Sequence, residues 1–260
     1  LVKEYAEIVR KEYRAIGVTL ALGPMADVST EPRWGRINGT FGEDSELVSS
    51  LTKSYITGLQ GDILNDESVA SMVKHFPGSG ALDGGKDSHF PPGIQSYRGG
   101  NFEYHIKPFE EAIEIGVSSI MTYYSLPIGI TKEEVGAGYN SELLLGLLRG
   151  KYAFDGIICT DWAIISDIIL PDGKVVKPAS AYGVENLNIS ERLEKVVMSG
   201  VDLIGGENLT NELVKLIESG QIMESRIDES VSRIMKQKFQ LGLFDNPFLD
   251  SKQLEIFDNE

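Results

Sequence analysis

The sequence predicts an α/β chain organised as a (β/α) barrel of the TIM type, incomplete at its N-terminal side. Three observations carry this. Short apolar runs rich in Val, Ile and Met alternate with longer amphipathic segments, the pattern of parallel strands buried on both faces and joined by right-handed helical crossovers. No glycine-rich dinucleotide fingerprint follows any of the runs, which disfavours a doubly wound nucleotide fold. Polar and aromatic residues gather directly after the runs, where the strand-to-helix loops of a barrel share one face.

The elements follow in order. A helix is expected over 1–16, then a strand over 17–23 and a polar loop over 27–36. The helix at 44–60 has Asp44 or Ser45 as its cap and acidic residues in its first turn, where the helix dipole favours negative charge. A strand at 69–73 leads into a long Gly/Pro/aromatic-rich loop over 74–100, then a helix at 103–115. A strand at 117–121 and a helix at 140–150 come next, then a strand at 156–160 with a second long loop from Asp161 onward. A helix at 190–199, a strand at 201–204 and a helical stretch at 209–241, with Gly220 as a point of interruption, complete the pattern. Five strands are visible, so a closed eight-stranded barrel needs more chain. After Pro247 the sequence (Asp250, Glu255, Asp258, Glu260) reads as a frayed end or the start of a linker. The opening Leu1-Val2-Lys3-Glu4 has neither Met nor a signal-peptide pattern, so the chain is expected to be an excised piece, and localisation stays open.

Composition narrows the function. Of the 260 residues, 24 are Lys or Arg and 39 Asp or Glu, a net charge of −15 that argues against nucleic acid and anionic membranes as partners. A small or neutral substrate fits better. One Cys excludes an intramolecular disulfide framework and a Cys-based zinc site.

Five groups of residues could carry chemistry. In Cys159-Thr160-Asp161-Trp162 a carboxylate ends a buried strand beside an indole suited to stacking on a sugar ring; Asp161 reads equally well as a helix cap, and Cys159 as a small buried apolar residue. Lys74-His75, before the break at Pro77-Gly78, offers donors for hydroxyls or a carboxylate, unless both are structural. Asp87-Ser88-His89 spaces a carboxylate to orient a general acid/base imidazole, though an Asx-turn with an exposed His is the commoner outcome. The Arg33 and Arg36 pair around Trp34 could fork vicinal hydroxyls, or pair with Glu43 or Asp44 over a core Trp34. Met121-Thr122-Tyr123-Tyr124 places thioether and aromatic surface at the same rim, with the two Tyr expected half exposed.

In combination these motifs resemble the N-terminal barrel domain of glycoside hydrolase family 3, of the β-glucosidase/β-xylosidase type. The match runs in order through Pro-Arg-Trp-Gly-Arg at 32–36, Phe-Gly-Glu-Asp at 41–44, Lys-His-Phe at 74–76, Met-x-x-Tyr at 121–124, Leu-Leu-x-x-Leu-Leu-Arg at 143–149 and Phe-Asp-Gly at 154–156. It continues through Thr-Asp-Trp at 160–162, Gly-Val-Asp-Leu at 200–203 and Arg-Ile-Asp-Glu-Ser-Val-x-Arg-Ile at 226–234. The resemblance implies a retaining exo-acting β-glycosidase without metal or organic cofactor, acting on an oligosaccharide or β-glycoside. Asp161 is then the nucleophile, and Arg36, Lys74, His75, Met121, Tyr124 and Trp162 hold the terminal sugar. It also implies a barrel domain over 1–245 with its first strands missing, and a tail over 246–260 toward an absent C-terminal domain that supplies the acid/base Glu. An early Asp that grips the sugar, in an Asp-x-x-His-Gly type segment, is likewise expected upstream. A second branch, the β-N-acetylglucosaminidases, instead uses an Asp-x-His acid/base dyad, which Asp87 and His89 match in outline. Gly78-Ser79-Gly80, where that branch has Gly-His-Gly, and the sequel Phe90-Pro91-Pro92-Gly93 sit closer to the glucosidase/xylosidase side. A fragment that only binds sugar, or is structural, is the non-enzymatic alternative.

Overall fold

The computed structural model describes residues 1–249 and 251–257. Four parallel strands lie side by side in the order β1 (Leu20–Ala21), β2 (Ala70–Phe76), β4 (Ser119–Thr122), β6 (Ile157–Cys159). The segment at 201–204 occupies a fifth position: Leu203 bridges Cys159 in parallel and the Leu203 carbonyl accepts from Thr160 N–H at 3.0 Å. All five predicted runs therefore take adjacent places in one wall, although paired strand is shorter than most of the runs. The structure is α/β with the parallel order of a (β/α) barrel.

The helices fall where periodicity puts them: α1 (Val2–Ala15), α2 (Ser45–Gln60), α3 (Phe102–Glu114), α4 (Ile189–Met198), α5 (Thr210–Glu218) and α6 (Glu224–Gln240). Asp44 is the cap of α2, accepting from Leu47 N–H at 2.8 Å, and is therefore not a partner for an arginine. The long helical stretch breaks around Gly220, as the sequence anticipates. The predicted helix at 140–150 winds as a π-helix over Glu142–Lys151, closed by a bond from Tyr152 N–H to the Leu147 carbonyl at 3.0 Å. Its Arg149 donates to the carbonyls of Phe154 (2.5 Å) and Gly156 (2.8 Å) and to Asp202 (2.5 Å). Buried Asp202 also meets Ser230 and Arg233, which fastens the fifth strand position to α6.

Two small pairings arise inside the long loops, where periodicity gives no signal. β3 (Ile94–Ser96) pairs in parallel with β5 (Leu126–Ile128), and β7 (Ile168–Ile169) with β8 (Val175–Lys177) forms an antiparallel hairpin. Of the predicted tail, Ser251–Phe257 makes a 3-10 turn against α1, and the Leu249 side chain sits over Gly17. Asp250, Asp258 and Glu260 lie outside the described residues.

Strand alternation divides the wall into two faces. Val73, Ile120 and Ile158 join the main core under the helices, while Met72, Met121 and Cys159 form a separate cluster on the opposite face, with Leu20 packed against it. Met121 lies in register with Lys74 on one side and Cys159 on the other. Tyr123 stands one residue past the end of β4, and Asp161 two residues past the end of β6. Among the described residues no helix is long and apolar enough to cross a membrane.

Candidate active site

The carboxyl ends of β1, β2, β4 and β6 bring the predicted residues together. Asp161 stands two positions past the end of β6 and is only 8% exposed. Its Oδ1 accepts from the Tyr124 hydroxyl at 2.9 Å and from Trp162 N–H at 2.7 Å, while Oδ2 lies 4.0 Å from His75 Nε2. Asp161 caps no helix, because a bend and then the β7–β8 hairpin follow it. One oxygen is thus held by two donors, while the other has His75 beside it at a longer distance.

A second network runs behind it. Asp27, fully buried, accepts from His75 Nδ1 at 2.8 Å, from His75 N–H at 3.2 Å and from Ser79 N–H at 2.6 Å. Arg36 Nη1 stands 3.2 Å from His75 Nε2 and donates to the Tyr123 hydroxyl at 3.0 Å. Arginine has donors only, so Nε2 accepts and Nδ1 carries the proton toward Asp27. Burial pushes the His75 imidazolium pKa down despite the attraction of Asp27, which keeps the ring neutral and this tautomer in place. Tyr123 passes the network on, donating to Asp87 at 3.1 Å.

Asp87 also accepts from Trp34 Nε1 at 2.8 Å, so Trp34 is both a core residue and an anchor for this loop. His89 closes on Asp87 twice, through its backbone N–H at 2.9 Å and through Nδ1 at 2.5 Å. Burial alone would raise the Asp87 carboxyl, but the bonds from His89 and Trp34 outweigh it and hold the group well below the usual carboxylate range. The Asx-turn and the oriented imidazole, alternatives in sequence, are one arrangement. The His89 ring stands edge-on to Tyr124, centroids 4.7 Å apart, which brings the pair to the same wall as Asp161.

The remaining residues complete the cleft. Lys74, in register with Met121, lies within electrostatic reach of Asp161 and Asp27; burial and the neighbouring Arg36 push its ammonium pKa down. Met121 is buried with Met72 and Cys159, in register with Cys159 two positions before Asp161. Trp162 is 39% exposed and lies across Gly205 and Gly206. Gly206 has φ +67°, and a Cβ there would come within 2.0 Å of the indole, so the residue must be glycine for Trp162 to lie where it does. Cys159 is inert: burial pushes its thiol up to about 12.

Two expectations are corrected. Tyr123 and Tyr124 are buried, not half exposed, because each hydroxyl is taken by a carboxylate and the rings pack, tilted or edge-on, against each other and against His75 and His89. Arg33 pairs with Glu31 at 2.7 Å rather than with Glu43 or Asp44, the latter being the cap of α2. Sequence reasoning singled out neither Asp27 nor Lys177 and did not give Tyr123 its linking role. Asp27 had a signal, a carboxylate just past an apolar run, as at Asp161. Lys177 had none; it reaches the site from β8, with Nζ 4.4 Å over the Tyr124 ring. Among the described residues no three His, Cys, Asp or Glu side chains converge as a metal site.

Buried carboxylates, each oriented by hydroxyl and N–H donors beneath an aromatic wall, suit nucleophilic and acid/base chemistry on a hydroxyl-bearing ring. The family model described as the glycosyl hydrolase family 3 N terminal domain matches residues 1–237. The chain is 48% identical over 253 residues to β-glucosidase C of Emericella nidulans, covering 96% of this chain and 41% of that protein. It is 45% identical over 268 residues to the periplasmic β-glucosidase/β-xylosidase of Dickeya chrysanthemi, covering 97% and 41%. The solved β-glucosidase of Listeria innocua in complex with glucose superposes with a TM-score of 0.83 at 29% identity, over 100% of this chain and 34% of that one. The chain thus spans about two fifths of the length of these curated relatives.

Proposed function

The chain belongs to glycosyl hydrolase family 3, and on that premise we propose that it is the nucleophile-bearing barrel part of a retaining, exo-acting β-glycosidase that removes terminal nonreducing β-linked glucose or xylose. Residues 1–245 form the barrel part, and 246–260 lead toward a further domain of the same polypeptide. The observation that carries the reading is the asymmetric holding of Asp161: Oδ1 is fixed by Tyr124 and Trp162 N–H, and Oδ2 has no such bond.

In this mechanism Asp161 Oδ2 attacks the anomeric carbon. The bond from that carbon to the leaving oxygen breaks as a general acid protonates the oxygen. Water then attacks the glycosyl ester, gives its proton to the same residue acting as base, and releases Asp161. Arg36 and Lys74 bind the sugar hydroxyls, His75, with its ring nitrogens taken by Asp27 and Arg36, holds Arg36 beside them, Trp162 covers a ring face and Met121 supports the floor. The neutral His75 beside Asp161 Oδ2 places no positive charge there to pair with the attacking carboxylate. The acid/base is proposed to come from the further domain.

A second reading places it on this chain. His89, oriented through Nδ1 by Asp87 at 2.5 Å and seated on Tyr124, has Nε2 to exchange a proton, the arrangement of the β-N-acetylglucosaminidase branch.

The test uses the full-length protein. Incubation with a 2-deoxy-2-fluoro β-glucoside bearing a good leaving group should trap a covalent adduct on the peptide holding Asp161; an adduct elsewhere overturns the assignment. His89→Ala separates the two readings. Hydrolysis of an aryl β-glucoside within a few-fold of the parent favours the external acid, and a loss of about 10²–10⁴ favours His89.

A further inference from the structure

The chain directly after Asp161 is neither helix nor strand: residues 162–166 run as successive bends, and Ala163, Ile164 and Ile165 are buried. Ala163 stands at φ +56°, in the left-handed region, a conformation that a residue with a Cβ keeps only where its surroundings enforce it. The backbone groups of this turn find their partners on distant segments. Ser180 N–H donates to the Ala163 carbonyl at 2.9 Å, the Tyr139 hydroxyl to that of Ile164 at 2.6 Å, and Arg192 to that of Ile165 at 3.1 Å. The N–H groups of Ile165 and Ser166 both donate to a single oxygen of Glu207, at 2.9 and 3.1 Å.

Glu207 ends a short segment that also holds the turn at its other end. The Leu203 carbonyl accepts from Thr160 N–H at 3.0 Å, and Gly205 N–H donates to the Thr160 hydroxyl at 2.8 Å. Between these two points the Trp162 indole lies across Gly205 and Gly206. Residues 203–207 therefore meet the nucleophile loop before Asp161, at Trp162 and after it. Glu207 supplies the only charged group in that segment, and a carboxylate accepting two N–H groups makes the stronger kind of hydrogen bond. Its bonds go to backbone, so its part is to place the loop and not to react.

We propose that Glu207 is a positioning residue for the nucleophile: its carboxylate holds the strained turn at Ala163, which seats Trp162 on Gly205 and Gly206 and aims the Trp162 N–H at Asp161 Oδ1. Without that carboxylate two N–H groups lose their acceptor in a largely buried turn, and Ala163 can leave the left-handed region. Trp162 precedes Ala163 directly, so its amide and its indole move together. Asp161 then loses one of the two donors on Oδ1, and the cleft loses its aromatic cover. For its effect on rate the proposal rests on the glycosidase reading, to which it adds a residue that acts only through the loop it holds.

The experiment reads Trp162 and the rate separately. The full-length protein is labelled with fluorotryptophan, and the Trp162 fluorine resonance is identified by its loss in Trp162→Phe. Glu207→Met keeps the side-chain volume and removes the acceptor. It should shift or broaden the Trp162 resonance, leave the other tryptophan resonances in place, and lower kcat/KM on an aryl β-glucoside about 10- to 100-fold, through both kcat and KM. Glu207→Gln keeps an oxygen for the same two N–H groups, so it should restore the resonance and bring kcat/KM within about fivefold of the parent. If the Met variant does not fold, Glu207→Asp, with the charge on a shorter arm, should move the resonance in the same direction by less. An unmoved Trp162 resonance and an unchanged kcat/KM, with only the melting temperature lowered, overturn the positioning role; a Gln variant as impaired as Met overturns the hydrogen-bond account. If a 2-deoxy-2-fluoro glucoside labels Asp161 while the Trp162 resonance stays put, Glu207 alone falls. If the label lands elsewhere, the glycosidase assignment falls with the rate prediction, and the resonance still decides whether Glu207 seats Trp162.

Discussion

The Tyr124 hydroxyl donates to Oδ1 of Asp161 at 2.9 Å, and the two residues come from neighbouring strand ends 37 positions apart. Burial and the nearby Asp161 charge both hold the Tyr124 proton on, pushing its pKa well above the usual phenol value. Tyr124 therefore stays a donor around neutral pH and fixes which carboxylate oxygen is held, leaving the other as the attacking atom of the proposed mechanism.

Tyr124→Phe removes that donor without changing the ring. A hydrogen bond to a charged group contributes about 1.5–3 kcal/mol, so kcat/KM should fall about 10- to 100-fold. The loss should fall mainly on kcat, because in the proposed mechanism the bond orients the nucleophile rather than the sugar. Steady-state kinetics on an aryl β-glucoside checks this, and an unchanged kcat would count against the role.

Asp27 is a positioning residue, acting through His75. Asp27→Asn leaves an amide facing three N–H donors that a carboxylate had satisfied. Unfolding in urea should show a loss of about 1–3 kcal/mol, and activity should drop because the His75 tautomer is no longer enforced. A variant as stable as the parent would show that the carboxylate is not the anchor described.

Lys177 is expected to matter through its place over Tyr124. Burial lowers its ammonium pKa, and the Asp161 and Asp87 charges oppose that shift. Lys177→Met should lower kcat/KM about 3- to 10-fold, the span of a partly desolvated cation–π contact, and Lys177→Arg should recover most of it. Failure of Arg to recover activity would point to the ammonium itself rather than to its charge.

Acid should destabilise the fold through two buried imidazoles. Burial lowers the His105 pKa from 6.5 to about 4, and lowers that of His75 in the same direction. Each ring stays neutral when folded while its unfolded counterpart takes a proton below about pH 6.5. The unfolded state then binds more protons, so stability is lost as pH falls from about 6.5 toward 4 and levels off below the folded pKa. Urea midpoints at pH 7.5 and pH 4.5 measure the slope, and His105→Gln should flatten it. An unaltered slope in that variant would assign the acid loss to other groups.

The order of helices and strands was legible because burial of one face imposes a period that survives in a single sequence. Even the break near Gly220 could be read. The β3–β5 and β7–β8 pairs could not, since strands of two or three residues carry no period. In the site, the residue types of Arg36, Lys74, His75, Asp87, His89 and Asp161 were readable as strand-end chemistry. Asp27 was passed over because a carboxylate after a strand has many ordinary uses, and only its three donors, 48 to 52 residues away, single it out.

The sequence by itself determined the α/β alternation, the strand-end residues and the family. Tertiary structure decided which of those residues meet. It buried Tyr123 and Tyr124, joined Asp27 to Asp87 through His75, Arg36 and Tyr123, and swung Lys177 over Tyr124 from a hairpin no motif announced. The physical reason is one of range. A burial period is written within a few residues of chain, whereas a hydrogen-bond partner or a groove wall is set by where distant loops close on one another.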